Sequence, residues 1–110
     1  METLSGKLRY RDRIALPTGA EVRVRLVDIS KTEGPAVPLA TQEFTTRGEQ
    51  PPLSFRLEYD SKDIKDNHDY AIEASISIDG KLAWITPQEL PIFDNGAPPP
   101  ILQVNLVKVS

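Results

Sequence analysis

Apolar and polar residues alternate one for one along most of this chain, and no other feature narrows its possible folds as far. Leu53, Phe55, Leu57 and Tyr59 alternate with Ser54, Arg56, Glu58 and Asp60. Tyr70, Ile72, Ala74, Ile76 and Ile78 alternate with Ala71, Glu73, Ser75, Ser77 and Asp79. Val22, Val24 and Leu26 are interleaved with Glu21, Arg23 and Arg25, and Leu102, Val104 and Leu106 with Gln103 and Asn105. Successive strand side chains point to opposite faces, so period two means strands with one buried and one solvated face. The phase changes at Val27/Ile29 and Val107/Val109, as a bulge or a strand end covered on both faces would require.

Turn signals divide the alternating runs. Pro17-Thr18-Gly19 separates a strand near residues 7–14 from one near 21–29 and reads as a hairpin. Asp79-Gly80 separates 70–78 from 81–86 and suits a two-residue type I′ turn, which needs positive φ. Prolines cluster at 35–38, 51–52, 87–91 and 98–100, between the apolar runs, where turns, edges or strand starts tolerate them. About seven or eight short strands with turns at this spacing predict an all-β antiparallel sandwich. No linker, repeat or low-complexity tract divides the chain, so residues 1–110 form a single domain. One short helical turn is expected near 61–66, capped by Asp60 or Ser61, with Ile64 plugging the open end of the sandwich. Tyr70 follows it, placed for its hydroxyl to bond back to this crossing segment as a tyrosine corner does.

Composition excludes more than it assigns. With no cysteine, thiol catalysis, disulfides and thiolate metal sites are ruled out together. A net charge of −3 argues against a nucleic-acid partner, and no apolar run approaches a membrane span. Asp60, Asp63, Asp66 and Asp69 recur every third residue, but Lys62 and Lys65 intervene and no glycine serves a calcium loop, so they read as a solvated turn. His68 is the single histidine, and no serine stands in a nucleophile-elbow context. The expectation is therefore no catalytic residue, no metal, no cofactor and no small-molecule substrate.

Two groups of residues remain as candidates for binding. Arg9, Arg11 and Arg13 share one strand face, and Arg23 and Arg25 lie outward on the expected hairpin partner. They form either a basic patch for phosphate, anionic lipid or an acidic protein segment, or a set of cross-strand partners for Glu21, Glu58 and Glu73. The latter reading is preferred. Trp84, the sole tryptophan, shares a strand face with Leu82, and Ala83 and Ile85 share the other. A buried Trp84 is the simpler outcome. The alternative is an exposed apolar groove in which Trp84, Ile85, Leu90 and Phe93, with Ile92, receive a peptide by strand addition or helix docking.

The order of segments resembles the YbaY-like lipoproteins, the family that includes the YscW-type pilotins of type III secretion. Residues 5–30, SGKLRYRDRIALPTGAEVRVRLVDIS, are similar to that family's opening, with Arg13, Leu16, Pro17, Gly19, Ala20, Asp28 and Ser30 matching its R-x-x-L-P-x-G-A turn and V-x-L-x-D-V-S strand. PLSFRLEYD (52–60), IKDNHDYAIEASISIDGKLAW (64–84) and ILQVNLVKV (101–109) resemble its later segments in the same order. The resemblance implies an immunoglobulin-like sandwich at the periplasmic face of the outer membrane or in the periplasm, tethered through an acylated N-terminal cysteine. It implies a non-enzymatic, pilotin-like chaperone whose partner is an envelope protein or peptide, secretin-like for a pilotin. This sequence has neither a lipid-accepting cysteine nor a signal peptide, so membrane association would come only through an anchor absent from this chain. A purely structural domain of a larger envelope or surface protein is the alternative.

Overall fold

A computed structural model describes residues 1–30, 34–87, 90–93 and 98–109. Eight strands form: β1 (Glu2–Tyr10), β2 (Glu21–Asp28), β3 (Val37–Thr45), β4 (Leu53–Tyr59), β5 (Tyr70–Ile78), β6 (Lys81–Ile85), β7 (Leu90–Ile92) and β8 (Leu102–Lys108). The only described helical element is a 3-10 turn, Ser61–Asp63, where the Asp60 carboxylate accepts the Lys62 N–H as its cap. The expected all-β class and the expected helical turn are both present, the turn shorter than 61–66.

The strands pair in one path, β3-β2-β5-β6-β8-β1-β4, with β7 added to β5. This is a nearly closed, barrel-like sheet, and the pairing does not confirm an immunoglobulin-like sandwich. Nor is it antiparallel throughout: β1 runs parallel to β8, Gly6 facing Leu102 and Tyr10 facing Leu106. The two ends of the path, β3 and β4, approach without a ladder, and the Gln42 side chain accepts the Arg56 N–H there at 2.6 Å.

The alternating residues converge on one core. Leu4 and Leu8 from β1, Val22, Val24 and Leu26 from β2, Phe55 and Leu57 from β4, Ile72 and Ile76 from β5 and Val104 and Leu106 from β8 are all buried. Gly6 belongs to the same inward row because an added Cβ would lie 2.6 Å from both the Leu102 carbonyl oxygen and the Phe55 ring. The phase change at the end of β2 marks a strand end covered on both faces: Val27 stays in regular register with β5, opposite Ala71, and both are fully buried on the face away from Leu26. The extra residue of the β2–β3 bulge lies on β3. At the end of β8 there is no such cover: Val107 and Val109 are exposed.

Two local expectations are corrected. The first strand spans Glu2–Tyr10 rather than 7–14, and it does not form a hairpin with β2. The reason lies in Thr46, the one buried polar residue described. Its Oγ1 donates to the Pro17 carbonyl at 3.0 Å and accepts the Ala20 N–H at 3.0 Å. Its backbone exchanges bonds with Gly19 and Ala20, each at 2.9 Å. The Pro17–Gly19 turn is thus bound to the end of β3 and carries the chain from one side of the barrel to the other. The segment before it cannot continue as a strand because the Tyr10 hydroxyl donates to the Ile14 carbonyl at 2.6 Å and the Gln50 amide bonds both Leu16 N–H and C=O. The Asp79-Gly80 turn does close a hairpin, with φ of 53° and 79° at its two residues.

Candidate functional site

A bulge in β6 creates the candidate binding surface. Ile85 faces Ser75 and Trp84 faces Ile76, but Leu82, not Ala83, faces Ser77, so Ala83 is the extra residue. Directly opposed residues share a face. Trp84 therefore points inward with Ile76, while Leu82 and Ile85 both point outward, beside the serines of β5. This corrects the expectation that Leu82 and Trp84 share a face: an inserted residue shifts the period by one.

Outside β6 the sheet offers Val107, directly opposite Ile85 on β8, and then Val109, whose N–H bonds the Ala83 carbonyl at 2.7 Å. Leu82 is 49% exposed and Val107 44%. Together with half-buried Ile85 they make an aliphatic strip along the barrel wall. Its β2 side is polar. Arg25 pairs with Glu73 directly across β5, and Arg23 pairs with Glu43 on β3 at 3.5 Å. A shallow cavity of about 230 Å³ lies between the two zones, bounded by Arg23, Arg25, Leu82 and Ile85. An apolar strip with a polar border is the pattern of a protein contact surface.

The four residues expected to receive a partner are divided by the fold. Ile85 lies on the outer strip. Trp84 is 2% exposed and stacks on Tyr10 with ring centroids 4.2 Å apart and planes 11° from parallel. Burial, and secondarily the Asp12 carboxylate, raises the Tyr10 hydroxyl above its ordinary value, which keeps it a donor to Ile14. Leu90 faces Ile72, and Ile92 faces Tyr70, on the inward side of β7. Phe93 follows with a positive φ of 67° and sets its ring 5.5 Å from Tyr59 and edge-on to Tyr70 at 6.0 Å. Sequence alone does not mark Leu82 and Val107 as surface residues, because Leu82 falls in alternation with Trp84 and the phase change at Val107 reads equally as a bulge or a covered strand end.

At the Tyr70 end, polar groups close the structure. The Tyr70 hydroxyl donates to the Asp63 carbonyl at 3.1 Å and accepts the Lys65 N–H at 2.8 Å, the tyrosine corner that the sequence suggests. His68 Nδ1 meets the Asp28 carboxylate at 2.7 Å, and Asp28 also accepts the Ser30 N–H. Burial acts to raise the Asp28 carboxyl, but the bonds from His68 and Ser30 outweigh it and hold it at about 2. Ser30 Oγ is engaged with the Asp69 backbone rather than with His68, so Ser30 is not paired with the imidazole as a nucleophile would be. This cluster fastens the end of β2 to the crossing segment. Among the described residues, no group of three or more His, Asp or Glu side chains is gathered as a metal site.

Residues 1–106 match the family described as type III secretion system lipoprotein chaperone (YscW). The chain belongs to this family. It is also similar to the lipoprotein YbaY of Escherichia coli K12, with 33% identity over 93 residues, which is 84% of this chain but 49% of that protein. The chain thus spans about half the length of this curated relative. Among solved structures it resembles an alternative pilotin from the type II secretion system of Vibrio cholerae. That match has 39% identity and a TM-score of 0.91 over 99% of this chain and 97% of the other. The YscW-family barrel, including β6 and its neighbours, is therefore shared along essentially its full length with a pilotin.

Proposed function

We propose that this domain is a non-enzymatic, pilotin-like chaperone of the bacterial envelope that binds a segment of an outer-membrane secretin at the periplasmic face of the outer membrane. The observation that carries the reading is the full-length match to a pilotin at a TM-score of 0.91 and 39% identity. Membership of a family of lipoprotein chaperones supports the same class of client. The family is described for type III secretion and the similar solved pilotin for type II, so the choice of system is left to experiment.

The Leu82–Ile85–Val107 strip is the proposed contact surface. Its aliphatic width suits the apolar face of an amphipathic client segment, and Arg25 and Glu73 border it with groups able to fix the segment's register. In this reading Ile85 touches the client and Trp84 holds β6 from beneath. Leu90 and Phe93 would supply a second, smaller contact at the Tyr70 end.

The test is delivery of a secretin. Each secretin of the same genome is followed by membrane fractionation in cells with and without the full-length gene. The expected result is one secretin that leaves the outer-membrane fraction on deletion and returns with the wild-type gene but not with Leu82→Asp/Ile85→Asp. Unchanged distribution of every secretin would defeat the proposal. Rescue by the double variant would move the contact elsewhere on the barrel.

A further inference from the structure

The arginines at the end of β1 lack the partners that the sequence reading assigns to them. Glu73 is taken by Arg25 and Glu58 by Arg56. Glu21 lies on β2, which does not pair with β1. The residues directly opposite Lys7 are Ser54 and Gln103, and opposite Arg9 is Asn105, so no carboxylate faces either cation across a strand. Among the described residues, Lys7, Arg9, Arg11 and Arg13 take part in no ion pair, whereas Arg23, Arg25 and Arg56 each do.

Local structure restrains the loop that carries Arg11 and Arg13 at the end of β1. The Tyr10–Ile14 bond ties the loop at both ends. Asp12 within it turns inward, its Oδ2 buried without a partner, while Arg11 and Arg13 on either side are exposed. Arg9 precedes them on the outer face of β1. The strand starts beside Tyr59, next to the turn carrying Asp60, Asp63, Asp66 and Asp69, and delivers the arginines to the opposite end, about 30 Å away. Acidic and basic ends on a protein of net charge −3 produce an oriented field.

We propose that Lys7, Arg9, Arg11 and Arg13 form a docking surface for an acidic segment of a partner protein. Charge complementarity selects the partner: four cations that form no ion pair among the described residues, with Asp12 turned inward between Arg11 and Arg13 and neutral Ser54, Gln103 and Asn105 opposite Lys7 and Arg9, are completed by an acidic chain. An extended protein segment is favoured over an anionic membrane because Ser54, Gln103 and Asn105 set hydrogen-bonding side chains beside the cations, where a peptide backbone can use them. The proposal does not rest on the secretin reading, and it uses different residues from the Leu82–Ile85 strip.

The test uses a fluorescein-labelled oligoglutamate peptide, followed by anisotropy at low and high salt, with phosphatidylglycerol-containing vesicles in a parallel sedimentation assay. The expected result is salt-sensitive peptide binding that Arg9→Gln/Arg11→Gln/Arg13→Gln weakens by about tenfold, the sum of three exposed ion pairs. Arg23→Gln and Arg56→Gln should leave it unchanged, and matching thermal unfolding curves establish that all variants are folded. Equal weakening by the control variants would overturn the proposal in favour of diffuse attraction. Binding to vesicles but not to the peptide would overturn it in favour of a lipid surface, and binding to neither would overturn it outright.

Discussion

Gly6 shows how a single residue can depend on partners distant in sequence. Its inward position is occupied by the Phe55 ring and the Leu102 carbonyl, both 2.6 Å from where a Cβ would stand. Gly6→Ala must move both the Leu102 backbone and the Phe55 ring, and should cost about 1–3 kcal/mol in urea unfolding, like other overpacked core substitutions. A neutral Gly6→Ala would mean that ring and backbone both give way. Nothing in the sequence announces this role, because the need for glycine comes from a neighbouring strand. Tyr70 is the opposite case: its place just after a short polar turn makes the corner legible, and both of its bonds are present. The Asp28 carboxyl, held at about 2 against an ordinary 3.8, carries a pH signature. A carboxyl depressed on folding stabilises the native state above its unfolded value and loses that contribution as pH falls. Wild type should therefore lose about 1 kcal/mol more than Asp28→Asn between pH ~4 and ~2, after allowance for solvent screening. Parallel acid limbs in denaturant titrations of the two proteins would refute this.

At the scale of elements, strand interiors were readable and strand neighbours were not. Alternation locates the buried rows of β2, β4, β5 and β8 because burial on one face is a local pattern. The β1–β2 hairpin was misread because Pro-Thr-Gly chemistry reports a chain reversal but not which strands flank it, and Thr46 makes that choice from elsewhere in the chain. The candidate site was half legible for the same reason. Ile85 was singled out, but the Ala83 bulge that turns Leu82 outward beside it is a property of the pairing with β5. The bulge makes opposite predictions for neighbouring residues. Trp84→Ala should cost about 3–5 kcal/mol, since it empties a core position and removes the Tyr10 stack. Leu82→Asp should change stability by less than about 0.5 kcal/mol, as surface substitutions do. Thermal or urea unfolding of the two variants decides the matter, and the reverse order would place Leu82 inside. Trp84→Ala is accordingly a poor probe of binding, since it damages the scaffold under the strip.

For the whole molecule, the decisive feature is that the barrel stops one ladder short of closure. β3 and β4 meet at the end of the strand path, and edge strands left in this way are templates for unwanted pairing. Pro38 on β3 and the Arg56–Glu58 pair on β4 blunt these edges. Gln42 does more: it occupies a row shared with half-buried Ala40 and Phe44, yet its Oε1 takes the Arg56 N–H in place of a backbone carbonyl. Strand alternation turns the Phe55 and Leu57 amides the other way, toward β1. One side chain thus substitutes for a missing ladder at one amide, and hydrogen exchange can isolate its effect. In Gln42→Ala the Arg56 amide should exchange about tenfold faster while Phe55 and Leu57 keep their protection, because only a local opening is made easier. If all three amides accelerate together, Gln42 contributes to global stability and the seam has no separate opening. If Arg56 alone responds, the barrel has a latch at its seam, and the sheet can loosen there without disturbing the core beneath the Leu82–Ile85 face.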